Sequence, residues 1–173
     1  MPNHLSTLGI VHTVISILAL LSAFYCLAID GKINPFTIHG KLYVTLTVIT
    51  CLTAFPIMKT GHFTGAHGLG VFVLALLPIG IYATRFKSHP KTAQYLQVFA
   101  MSTTLFLSFI PAIVETLTRL PISQPLAAGP NDAIIKSGLL VLVVIYLPGL
   151  IYQFRKIQLT QRSAVVAKEK TSQ

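Results

Sequence analysis

The stretch from Leu5 to Ile29, LSTLGIVHTVISILALLSAFYCLAI, contains no Asp, Glu, Lys or Arg, and its only imidazole is His12. A bilayer crossing needs about 20 apolar residues in a helix, so this stretch predicts a transmembrane span. Four more apolar stretches follow, at about His39 to Met58, Ala66 to Arg85, Ala93 to Leu117 and Ser137 to Phe154. The whole composition agrees. Of the 173 residues 53% are apolar and only 10% charged, where a soluble domain carries about 25% charged. The chain therefore reads as an all-α polytopic membrane protein with five transmembrane helices, a four-helix core bundle plus one. Residues 1–155 form a single transmembrane domain in this reading, and residues 156–173 a basic cytoplasmic tail.

Lys and Arg set the orientation, because they concentrate on the cytoplasmic side of a membrane protein. Lys32, Lys41, Arg85, Lys87, Lys91, Arg155, Lys156, Arg162, Lys168 and Lys170 fall on one side, and only Lys59, Arg119 and Lys136 on the other. That bias places the N-terminus outside and the C-terminus in the cytoplasm. Tyr25, Tyr43, Tyr82, Tyr95 and Tyr152 fall toward the same cytoplasmic ends, as an interfacial belt would. The first span does not read as a signal peptide, since it lacks a basic n-region and its apolar run is too long. Cys26 and Cys51 should lie at different depths, which argues against a disulfide. The net charge of +9 is explained by attraction to anionic headgroups and gives no reason to expect nucleic acid.

Pro56, Pro78, Pro111 and Pro148 fall within apolar spans. Each removes a helical hydrogen bond and bends the axis, which either leaves room for a flat cofactor or is ordinary membrane-helix usage. Gly61, Gly65, Gly68 and Gly70 surround His62 and His67. Glycine there lets a ring or a neighbouring helix approach closely, and both readings stand.

The histidines carry the chemistry. His12 lies about two turns inside the first span and His67 opens the third, both toward the outer side. His39 opens the second span and His89 precedes the fourth, both toward the inner side. At 1.5 Å per helical residue the two layers are about 20–25 Å apart. A six-coordinate haem b needs two neutral imidazoles from different helices at one depth, and the pairs His12 with His67 and His39 with His89 meet that layout. His62 competes with His67, but His67 falls within the helix and is preferred. His4 reads as solvated. The competing explanation is that histidine avoids the bilayer centre anyway. It applies most to His39 and His89, beside Lys41, Lys87 and Lys91, and least to the intramembrane His12.

A faint repeat supports the pairing: Leu18 to Leu21 follows His12 as Leu74 to Leu77 follows His67, both reading LALL. Glu115 and Arg119 lie four apart on one face, as a neutralising pair or a proton or quinone contact. The loop from Arg119 to Lys136 holds Pro121, Pro125 and Pro130, so it is expected to be irregular and to cap the outer face. The segment after Arg155 reads as a solvated extension or frayed helix.

The early histidine, His39-Gly-Lys-Leu-Tyr43, His67 opening the third span, His89 in the following loop and Arg119-Leu-Pro121 together resemble a bacterial predicted-membrane-protein family of unknown function. That family is similar in its four-histidine layout to the cytochrome b561-type diheme membrane proteins. The resemblance covers roughly residues 8–121 and implies a four-helix core with alternating histidine ligands at His12, His39, His67 and His89.

The function expected is a b-type electron carrier of the bacterial inner membrane, with one or two bis-histidine haems. Its partners would be the lipid bilayer, a quinol or small anionic donor, and a larger membrane complex or a second copy. The alternative is a haem-free accessory subunit or small permease with structural histidines. No nucleophile–base pair or carboxylate dyad points to hydrolysis.

Overall fold

The computed structural model describes residues 6–57, 64–85 and 90–171. They form α1 (Thr7–Asp30), α2 (Ile38–Ala54), α3 (Gly65–Tyr82), a 3₁₀ turn at Ala83–Arg85, α4 (Pro90–Arg119) and α5 (Ala133–Thr171). Among the described residues there is no strand.

Local chemistry sets the helix ends. Ser6 caps α1 by accepting the Gly9 N–H at 3.1 Å. Gly31, at φ 68°, ends it in the left-handed conformation and donates its N–H to the Leu27 carbonyl at 3.0 Å. Thr37 accepts the Gly40 N–H at the start of α2. The second span was expected to run to Met58, with Pro56 inside it. Instead α2 ends at Ala54, ahead of the proline, which cannot continue the hydrogen-bond ladder; Met58 lies outside the described residues. The fifth span was expected over Ser137 to Phe154, followed by a solvated extension or frayed helix. Here α5 starts at Ala133 and continues to Thr171 as one helix, so the basic segment extends it. Pro78, Pro111 and Pro148 do lie inside helices.

The helices close into a ring. α1 packs on α2, α2 on α3 and α3 on α4, and α4 returns to touch α1; among the described residues the backbone of α5 lies close to that of α4 only. Neighbours run antiparallel, as the contacts of early with late residues require: His12 meets Thr53, Phe55 meets His67, and Gly138 faces Ile113 and Leu117. One end of the ring therefore holds His12, Thr53 and His67, with Arg119 and Ala133. The other holds Asp30 and His39, where Lys156 of α5 donates to the Asp30 carbonyl at 3.1 Å.

The pattern of burial is compatible with a protein solvated by lipid. Toward the ring α1 buries the small residues Gly9, Ala19, Ala23 and Cys26, while Ile10, Val14, Ile17, Leu21 and Phe24 point outward. Small inner faces let backbones approach where lipid removes the hydrophobic drive between helices. Four helices are long and apolar enough to cross a membrane, within Thr7–Asp30, Gly65–Arg85, Lys91–Arg119 and Ala133–Ser163; α2, at 17 residues, is shorter. Across the ring, Tyr43 on α2 meets Thr104 on α4 at 2.9 Å, and both are wholly buried. The Thr104 hydroxyl also lies 2.7 Å from the Met101 carbonyl, to which it donates. Cys26 and Cys51 are free thiols, both buried.

Two outcomes follow. A Cβ at position 40 would stand 1.8 Å from the Asn34 carbonyl oxygen, whereas one at Gly129 would meet nothing within 4 Å. Backbone cannot yield as a side chain can, so Gly40→Ala is expected to destabilise the fold by about 1–3 kcal/mol and Gly129→Ala to leave it unchanged. Melting in detergent, read with a thiol-reactive dye on the buried cysteines, checks this. The Asp132 carboxylate accepts the N–H groups of Ala128 at 3.0 Å and Ile134 at 3.2 Å, and these bonds hold its carboxyl below the usual carboxylate range. A depressed group contributes above its unfolded pKa of about 3.9 and loses that contribution as pH falls through the lower folded value. Amide protection at Ala128 and Ile134 should therefore fall below about pH 4, and Asp132→Asn should remove this dependence.

Candidate functional site: the His12 and His67 end of the ring

His12 is half-buried on the inner stripe of α1, one turn below Gly9. Its Nδ1 lies 3.0 Å from the Thr53 hydroxyl on α2. That hydroxyl has one hydrogen, and it is directed back to the Ile49 carbonyl at 2.9 Å and the Thr50 carbonyl at 3.0 Å. With that hydrogen on a backbone carbonyl, the Thr53 oxygen accepts from His12. The His12 hydrogen is thus assigned to Nδ1, and Nε2 keeps the lone pair.

His67 is 4% exposed and occupies the third position of α3. Its Nδ1 receives the Thr64 backbone N–H at 3.1 Å and lies 2.8 Å from the Thr64 hydroxyl. A backbone N–H only donates, so Nδ1 carries the lone pair and the neutral ring holds its hydrogen on Nε2. The imidazole fills the role that Glu or Gln takes in a capping box. Phe55, at the end of α2, stacks against the ring with centroids 6.2 Å apart and planes 22° apart.

The two histidines thus stand on α1 and α3, helices that face each other across the ring without touching, at the same end. Both lean on the last residues of α2, in opposite tautomers. Glu115 on α4 acts on His12 electrostatically and forms an ion pair with Arg119, the pair expected from their spacing.

Haem offers a specific test of this geometry. Iron takes the imidazole nitrogen that bears no hydrogen, while the other nitrogen donates to a supporting acceptor. His12 satisfies both conditions through Nε2 and the Nδ1–Thr53 bond. His67, engaged as a cap, offers an N–H where a ligand needs a lone pair. The residues at this end therefore fit one haem ligand, not two. No atom lies within 4 Å of where a Cβ would stand at Gly65, Gly68 or Gly70. Among the described residues, no other helix of this chain closes on these three positions. The inner layer is less complete. His39 is exposed, its ring edge-on to Tyr25 with centroids 4.4 Å apart. His89, its expected partner, lies outside the described residues, as do His4 and His62. Among the described residues, no group of three or more His, Cys, Asp or Glu could hold a metal ion; a haem asks for imidazoles alone.

Thr53 and Phe55 escaped the sequence reading because nothing local marks them as partners of His12 and His67. Thr64-x-x-His67 could have been found, since its spacing is that of a capping box. Comparison with protein-family models, with curated proteins and with solved structures finds no match.

The capping role predicts a rescue. His67→Ala should cost about 1 kcal/mol through loss of the cap, whereas His67→Gln, which offers an acceptor at the same position, should melt within about 0.5 kcal/mol of the parent. Thiol-dye melting of both variants checks it.

Proposed function

We propose that this chain is a multi-pass electron carrier of the bacterial inner membrane that seats a b-type haem at the His12 end of its helix ring. The haem would supply reversible one-electron chemistry. His12 would hold it through Nε2, Thr53 would fix the ring from behind, and the open side of α3 at Gly68 and Gly70 would admit the macrocycle's edge. The observation that carries the reading is the 3.0 Å contact between His12 Nδ1 and the Thr53 hydroxyl, which, with Nδ1 as the donor, leaves a lone pair on Nε2. In this reading the chain crosses the membrane five times, with its N-terminus outside and its C-terminus in the cytoplasm. α2 crosses too, its 17 residues at the lower limit of the span length. The four-histidine layout similar to that of the cytochrome b561-type proteins supports the same reading. Lys41 and Lys91, both exposed, would steer a small anionic donor electrostatically, or a quinol would donate from within the bilayer.

A second reading is favoured by one observation, the Thr64–His67 cap. A histidine that stabilises a helix start needs no iron, and a haem-free accessory subunit or small permease would use both imidazoles as hydrogen-bonding groups.

A reduced-minus-oxidised visible spectrum of the protein purified in detergent separates the two. The haem reading expects a b-type difference band that His12→Ala abolishes and His39→Ala preserves. Thr53→Val should weaken haem retention about tenfold, as loss of a supporting hydrogen bond does. A protein that stays colourless when haem is supplied during expression contradicts it.

A further inference from the structure

We infer that the ring encloses a proton path, a file of hydroxyl groups bridged by buried water molecules that runs from His12 at one end to Gln97 near the other. The inference needs no haem and gives the bundle an activity of its own.

The file is built by two helix faces. Along α2, Tyr43, Thr47 and Thr50 recur at helical spacing and so share one face. Along α4, Gln97, Thr104 and Ser108 do the same. The 2.9 Å contact between Tyr43 and Thr104 turns these faces toward each other across the ring, and Thr47 and Ser108 stand near enough to act on the Tyr43 hydroxyl. Beyond Thr47 the file reaches Thr50, whose backbone interacts with His12. Met101, between Gln97 and Thr104 in sequence, leans its thioether on Gly80 of α3.

Within this file, the Thr47 and Thr50 hydroxyls and the Gln97 side-chain nitrogen are buried without a hydrogen bond to any described residue. Thr47 is 2% exposed and Gln97 4%, so neither can turn to bulk solvent. A polar group left dry at such depth is costly, and folded proteins meet that demand with ordered water. Waters and hydroxyls both donate and accept. A proton entering at one end therefore shifts each bond in turn, and a different proton leaves at the other; only O–H and N–H bonds change. At the outer end His12 is the titratable group of the file, under the field of Glu115, which pairs with Arg119. The membrane potential supplies the drive.

Proteoliposomes with a pH-sensitive dye inside, and a potassium diffusion potential set by valinomycin, read the flux. The parent protein is expected to move protons faster than protein-free vesicles. Thr47→Val and Gln97→Leu should each slow it about tenfold, as a modest rise in the transfer barrier does, while Thr47→Ser, which keeps the hydroxyl, should retain the parental rate. Thiol-dye melting adds a second reading: a hydroxyl served by water gains nothing from replacement by valine, whereas a dry one does. The inference is overturned if the parent is no faster than empty vesicles, if either apolar variant conducts at the parental rate, or if Thr47→Val melts at a higher temperature. None of these outcomes alters the visible spectrum, so failure here is distinct from failure of the haem reading.

Discussion

The Thr53 hydroxyl has a single hydrogen, and the backbone of α2 takes it. With that hydrogen on the Ile49 or Thr50 carbonyl, the oxygen accepts from His12 and favours the imidazole tautomer that carries its hydrogen on Nδ1. Much of the chemistry at this end of the ring depends on that constraint. A mirror-image constraint acts at His67, where a backbone N–H fixes the lone pair on Nδ1. Two histidines of the same type, at one end of the same bundle, are thereby given opposite roles by neighbours that carry no charge. Low dielectric strengthens both assignments, because an unmatched donor or acceptor has no water to turn to.

The same economy of polar groups organises the rest of the ring. Large apolar side chains of α1 and α5 face outward, among them Leu21, Phe24, Leu140 and Ile145, while small and hydroxyl-bearing residues face inward. Lipid offers apolar side chains as good an environment as the interior does, so close backbone approach and hydrogen bonds decide which faces meet. The Tyr43–Thr104 bond joins α2 to α4, whose backbones do not come close. Ser102 with Gln153, at 2.8 Å, and Thr103 with Tyr146, also at 2.8 Å, fasten α5 to the outside of α4. Polar contacts thus mark the ring's diagonal and its one added helix.

Helix positions were legible in the sequence because length and hydropathy follow from the bilayer's thickness, a property of the solvent and not of any partner residue. Boundaries were less legible. α2 stops before Pro56, and α5 runs on through Arg155, because a helix end depends on caps and on continuing backbone bonds more than on apolar content. At the site, the spacing of His12 and His67 placed them on different helices at one end, and the ring sets those helices opposite each other. Tautomers could not be read, because they depend on Thr53, 41 residues from His12, and on the exact turn at Thr64. Exposure at His39 was equally hidden: position in a span says how deep a residue lies, not which way it faces.

The opposite roles of His12 and His67 rest on the protonation of their rings, and nitrogen-15 NMR of histidine-labelled protein in detergent reads it directly. The expected result is a hydrogen on Nδ1 of His12 and on Nε2 of His67, assigned by the loss of each signal in the corresponding single variant. Identical tautomers at the two positions, or a His12 ring with its hydrogen on Nε2, would contradict it.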